Sequence, residues 1–97
     1  MSARVVQLAH LSPSCDAWRG YGAYDLLTEV CGRPPVRLAR LGAWTAGSWR
    51  TADAVALWES RGGVVELVDE EHLLRLAGRE VDRRKAAHAE ARGELFA

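Results

Sequence analysis

Cys15, Cys31, His10, His72 and His88 are the side chains of this sequence best suited to bind a transition metal or act as a nucleophile. Structural zinc is held by ligands in close pairs, such as C-x2-C or H-x3-H, because two donors must reach one tetrahedral ion from a single turn. No two of these five residues fall at such a spacing. The expectation is therefore no metal site and no cofactor, with the cysteines acting as small apolar residues. If both cysteines lie on one helical segment, the roughly 16 residues between them span about 24 Å, beyond the reach of a disulfide.

Other chemical signatures are also missing. Gly42, Gly47, Gly62 and Gly63 lack phosphate-loop spacing and precede no Lys-Ser/Thr pair. There is no G-x-S-x-G nucleophile turn. Asp16, Asp25, Asp53 and Asp69 read as helix caps and solvent-facing charge, and the chain is expected to be non-enzymatic.

Two basic groups are candidates for neutralising phosphates. The first is Arg33, Arg37 and Arg40; the second is Arg79, Arg83, Arg84 and Lys85. Glu80, Asp82 and Glu90 interleave with the second group, as on an ordinary solvated face. Across the 97 residues, 13 basic and 13 acidic side chains cancel, so bulk charge selects neither nucleic acid nor membrane. All the basic residues but Lys85 are arginine, and alanine is abundant, as in GC-rich genomes such as those of actinobacteria and their phages.

Tryptophan is the informative excess, at 4 residues. Trp58 sits on the apolar face of an expected helix and belongs to the core. Trp18, Trp44 and Trp49 flank glycines and loops, where exposed aromatics beside arginine are typical anchors for a protein partner.

The chain closes on Glu94-Leu95-Phe96 before Ala97. This is similar to the end of the short linear peptide by which bacterial replication proteins bind the sliding clamp. Arg92 stands where that peptide begins with glutamine, and the resemblance covers three residues. The plainer reading of these residues is a terminal Leu-Phe folded back on the core.

The elements that must position these groups centre on 44–69. Thr51 reads as an N-cap, with Asp53 in the first turn of a helix. Ala54, Leu57 and Trp58 share its apolar face, with Val55 beside them. Gly62 and Gly63 stop it, and Val64 to Val68 reads as a strand covered on most of both faces. Arg4 to Leu11 alternates like a strand and is expected to pair with it. Ser12-Pro13 reads as a helix start, weakened at Gly20 and Gly22. From Tyr21 the pattern is clean, with Ala23, Leu26, Leu27 and Val30 on one helical face and Gly32 ending it.

Residues Val36 to Ala46 are ambiguous. A short strand near Leu41–Thr45, after a helical turn, is the preferred reading; a helix here would allow three helices of a winged helix-turn-helix across Tyr21–Gly63. Asp69 caps a last helix from Glu70 to Arg92, with Leu73, Leu76, Ala77 and Val81 toward the core. Leu74, Val81, His88 and Leu95 recur every seven residues, a candidate dimer seam.

These observations predict an α/β fold: one domain over 1–97, a small sandwich of about three strands and three helices in β-α-β-α-β-α order. Residues 82–97 are expected to protrude as a C-terminal helix or tail. The α+β winged-helix-like arrangement is the alternative. The expected function is a small cytoplasmic, non-enzymatic accessory factor of phage or mobile-element type that binds a protein. Its partner would be another protein or a second copy, through the C-terminal helix, with Trp18, Trp44, Trp49, Val81, His88, Leu95 and Phe96 as the contact residues. The alternative is a DNA binder using Arg33, Arg37, Arg40, Arg83, Arg84 and Lys85. No secretory leader is read at Met1–Ser12, and no apolar run approaches the roughly 20 residues that span a bilayer.

Overall fold

The computed structural model describes residues 4–81 and 83. Strand β1 (Val5–Ser12) turns at Pro13-Ser14 into β2 (Cys15–Arg19), which leads to helix α1 (Ala23–Cys31). The short β3 (Val36–Leu38) and a 3-10 turn (Ala39–Leu41) precede β4 (Ala43–Gly47). A second 3-10 turn (Ser48–Arg50) runs directly into α2 (Thr51–Ser60), followed by β5 (Val64–Leu67). The last helix, α3, starts at Glu70 and includes residues 70–81 and 83.

The strands form one mixed sheet in the order β3-β4-β2-β1-β5. Only β1 and β5 pair in parallel, Val6 opposite Val65 and Leu8 opposite Leu67. The connection between them carries most of the fold, as parallel neighbours require a crossover. The other pairings are antiparallel. The class is therefore α/β as expected, but with five strands among the described residues instead of three.

The largest correction is at β2. Ser12-Pro13 starts no helix: it is a hairpin turn, with Ser14 N–H donating to Ser12 Oγ at 3.3 Å. The next five residues form the middle strand of the sheet. A middle strand is covered on both faces, so its side chains need no polar–apolar alternation. Asp16, Ala17 and Trp18 are all buried. The five residues are too few to show that pattern against a helical one.

Side chains divide by strand parity. Val6, Leu8 and Trp18 pack with Ala23, Leu26 and Leu27 of α1 and with Ala54 and Trp58 of α2. On the opposite face Ala9, Ala17 and Ala43 pack with Leu41 and with Leu73 of α3. The small alanines let α3 and the 3-10 turn approach the sheet closely. The expected α1 face is the one buried, and the Trp58 indole donates to the Val64 carbonyl at 3.1 Å.

Local signals at the ends of elements are mostly as read from the sequence. Gly62, at φ 81°, takes the left-handed conformation that ends α2. Asp69 accepts from His72 N–H at 2.7 Å and caps α3. Thr51 differs: it is the first residue of α2, and its hydroxyl donates to Asp16 instead of capping its own helix.

Strand β5 is an edge, not a buried centre. Val65 packs on the core, while Val64, Glu66 and Leu67 are exposed. Val36–Trp44 is strand, 3-10 turn and strand, so the helix on which the winged-helix alternative depends is not formed. No helix among the described residues is long and apolar enough to cross a membrane.

Candidate functional site

The three candidate tryptophans have different fates. Trp18 is fully buried in the middle of the sheet and is no partner anchor. Trp44 packs partly against the same core; the ring of Tyr24 meets it edge-on at 4.8 Å and the Arg37 guanidinium lies 5.3 Å from its centroid. Trp49 alone is open, with 69% of its surface exposed. Val81 is exposed on α3, contrary to its expected place on the core, while Leu73 and Ala77 are buried. His88, Leu95 and Phe96 lie outside the described residues, as do the Glu94-Leu95-Phe96 motif and most of the expected 82–97 tail.

The basic residues do not converge. Arg37 stacks on Trp44 on the α1 side of the sheet. Arg40 leaves the 3-10 turn and pairs with Glu70 at the start of α3. Arg33 follows α1 and faces a groove. Arg83 is exposed on α3, and Arg84 and Lys85 lie outside the described residues. The close sequence spacing of Arg33, Arg37 and Arg40 reflects a helical reading that the chain does not adopt.

The groove beside Arg33 is a concave surface that contains an expected contact residue, Trp49. It has a volume of about 700 Å³ and runs between the end of α1 and the second 3-10 turn. Cys15, Thr45, Ala46 and Gly47 contribute from β2 and β4, and Pro34, Pro35 and Val36 from the connector and β3. Trp49 closes one wall. Its ring lies flat against Gly47, where an added Cβ would come within 2.3 Å of it. Only glycine permits that approach, so Gly47 sets the position of the indole.

The electrostatics of the groove are one-sided. Arg33 and Arg50 line it, and among the described residues no carboxylate does. Arg50 has only a long contact to Asp53, at 3.8 Å. The two cysteines, expected to be far apart, line this same groove because one starts β2 and the other ends α1. Both are free thiols.

A second constellation was invisible to spacing arguments. Asp16 is 1% exposed, and its Oδ1 lies 2.7 Å from His10 Nδ1. Its other oxygen accepts from the Thr51 hydroxyl. The hairpin register places His10 opposite Asp16, and the 3-10 turn after β4 brings the start of α2 onto them. Reading Asp16 as a solvent-facing cap was wrong for the same reason that β2 was missed. A hairpin reading of Ser12-Pro13-Ser14 would have paired the two residues. Among the described residues no group of three or more His, Cys, Asp or Glu is arranged to hold a metal ion.

No family model matches the chain, and neither curated proteins nor solved structures give a significant match.

Proposed function

We propose that this chain is a small non-enzymatic protein-binding domain, and that the groove beside Trp49 receives an extended acidic segment of its partner. The observation that carries this reading is the exposed Trp49 indole standing over a groove lined by Arg33 and Arg50, with no carboxylate among the described residues. An indole held at low entropy cost on Gly47 offers a large contact area, and tryptophan and arginine are the residue types that dominate binding energy at interfaces. Val36, 72% exposed, extends the apolar surface onto the outer strand β3. The two arginines favour negative charge in the occupant and raise its rate of encounter at low salt.

Fluorescence anisotropy with labelled acidic, neutral and basic peptides, and with a single-stranded oligonucleotide, tests the reading. Acidic peptides are expected to bind best, and Trp49→Ala to weaken them by about tenfold or more, the loss of roughly 1.4 kcal/mol. No preference for acidic peptides, or no effect of Trp49→Ala, would refute it. Tighter binding of the oligonucleotide, with a steep salt dependence, would favour the nucleic-acid alternative.

A second contact is favoured by α3. Leu74 and Val81, seven residues apart, are both exposed while Leu73 and Ala77 are buried. This face suits a second copy or a client protein. Sedimentation of wild type and Leu74→Glu separates the two surfaces, since the groove lies elsewhere.

A further inference from the structure

We propose that His10 is a phosphoryl-acceptor site, taking the group at Nε2 from a small high-energy phosphodonor. The argument begins with Asp16. A carboxylate removed from water costs several kcal/mol unless its oxygens are satisfied, so the burial of Asp16 in the middle strand calls for a reason. Both oxygens are engaged, one by His10 Nδ1 and one by the Thr51 hydroxyl. A carboxylate only accepts, so the proton of the neutral imidazole lies on Nδ1. The lone pair is then on Nε2. His10 is 62% exposed in its side chain, so this nitrogen is open to solvent.

The surroundings of His10 select the approach. It forms the wall between two clefts. One is lined by Leu11, Ser12, Pro13, Asp16, Ser48 and Thr51, and Asp16 is its only carboxylate among the described residues. The other carries Glu66, Asp69 and Glu70 beside His72 and Arg75. An anionic donor is repelled from the second cleft and directed to the first, where the Ser12 hydroxyl, which accepts from Ser14 N–H, can donate to a phosphoryl oxygen, while the Ser48 hydroxyl is held by the Pro13 carbonyl at 2.8 Å.

The step balances without a further reactant. The Nε2 lone pair attacks phosphorus, and the N–P bond forms as the bond to the leaving group breaks. With protonated phosphoramidate the leaving group is ammonia, which departs with the electron pair. The positive charge that develops on the ring is offset by Asp16 through the Nδ1 hydrogen bond. This is a modification of the protein and not a turnover, so it stands beside the binding role and does not depend on it.

The test uses phosphoramidate alone with the full chain. Phosphate on each histidine is followed by peptide mass spectrometry and by phosphorus NMR, which distinguishes Nε2 from Nδ1 products. His72 and His88 serve as comparators within the same molecule. His10 is expected to react about tenfold faster or more, a barrier lower by roughly 1.4 kcal/mol. In urea the three rates should converge. Asp16→Asn should remove most of the advantage, and nitrogen NMR of the wild type should show the bare nitrogen at Nε2. If that variant does not fold, the comparison of the three histidines in the wild type still decides. Equal rates, an Nδ1 product, or a bare Nδ1 would overturn the proposal.

Discussion

Trp18 offers the sharpest test of how this fold is built. It is fully buried in the middle strand, between α1 and α2, and its indole N–H has no hydrogen-bond acceptor among the described residues. Two substitutions separate these facts. Trp18→Ala removes the whole ring and leaves a cavity, which costs about 3–5 kcal/mol for a buried aromatic. Small domains have only about 5–15 kcal/mol in total, so this is a large fraction of the stability. Trp18→Phe keeps most of the ring. Its cavity costs about 1–2 kcal/mol on the same scale, but it also removes a buried N–H whose lack of a partner costs about 1–3 kcal/mol. The two effects are opposite in sign, so the net change should lie between a loss of about 1 kcal/mol and a gain of about 2 kcal/mol. In thermal denaturation a change of 1 kcal/mol moves the midpoint by about 4–8 °C in a domain of this size. Trp18→Ala should therefore lower it by at least about 12 °C, and Trp18→Phe should lower it by no more than about 8 °C. If Trp18→Ala leaves the midpoint unchanged, Trp18 is a surface anchor and the sheet order is wrong. If Trp18→Phe costs as much as Trp18→Ala, the reasoning about the unpartnered N–H fails.

Two further outcomes follow from the edges of the structure. Val65→Asp should cost about 1–3 kcal/mol by urea denaturation, less than Trp18→Ala, because β5 is an edge strand from which a carboxylate reaches water; a loss equal to that of Trp18→Ala would mean β5 is covered on both sides. Glu29 is held below the usual carboxylate range, first by the hydrogen bonds from Arg61 at 2.7 and 2.8 Å and also by its charge, against an opposing effect of desolvation. A depressed folded-state value means the pair contributes above the unfolded value of about 4.5 and loses that contribution as pH falls through the folded value. Both groups are exposed, so Arg61→Gln should lower the midpoint only slightly at neutral pH, less so at high salt, with the difference gone in strong acid; a difference that grows in acid would contradict this.

Much of the local structure was legible because it depends on neighbours in the chain. The Ala23, Leu26, Leu27, Val30 face, the Gly32 and Gly62 stops, and the Asp69 cap are set by periodicity and by backbone conformations within a few residues. The pairing of β1 with β5 was also readable, since both strands carry a strand pattern. The candidate site was less so. Trp49 and Arg33 were named from the sequence, but not the groove that joins them, which needs β2, β4 and the end of α1 side by side.

Alone, the sequence determined the helical faces, their ends and the α/β class, because those follow from side-chain spacing along one element. Tertiary structure decided which strand lies in the middle. Burial on both faces erases the alternation by which a strand is recognised, and Cys15–Arg19 was therefore silent until β1 and β4 enclosed it. The same packing made Trp18 core, left Trp49 open, brought Cys15 and Cys31 to one groove, and set Asp16 between His10 and Thr51. Each of these contacts joins residues whose separation in the chain carries no periodic signal, so only the closed fold could bring them together.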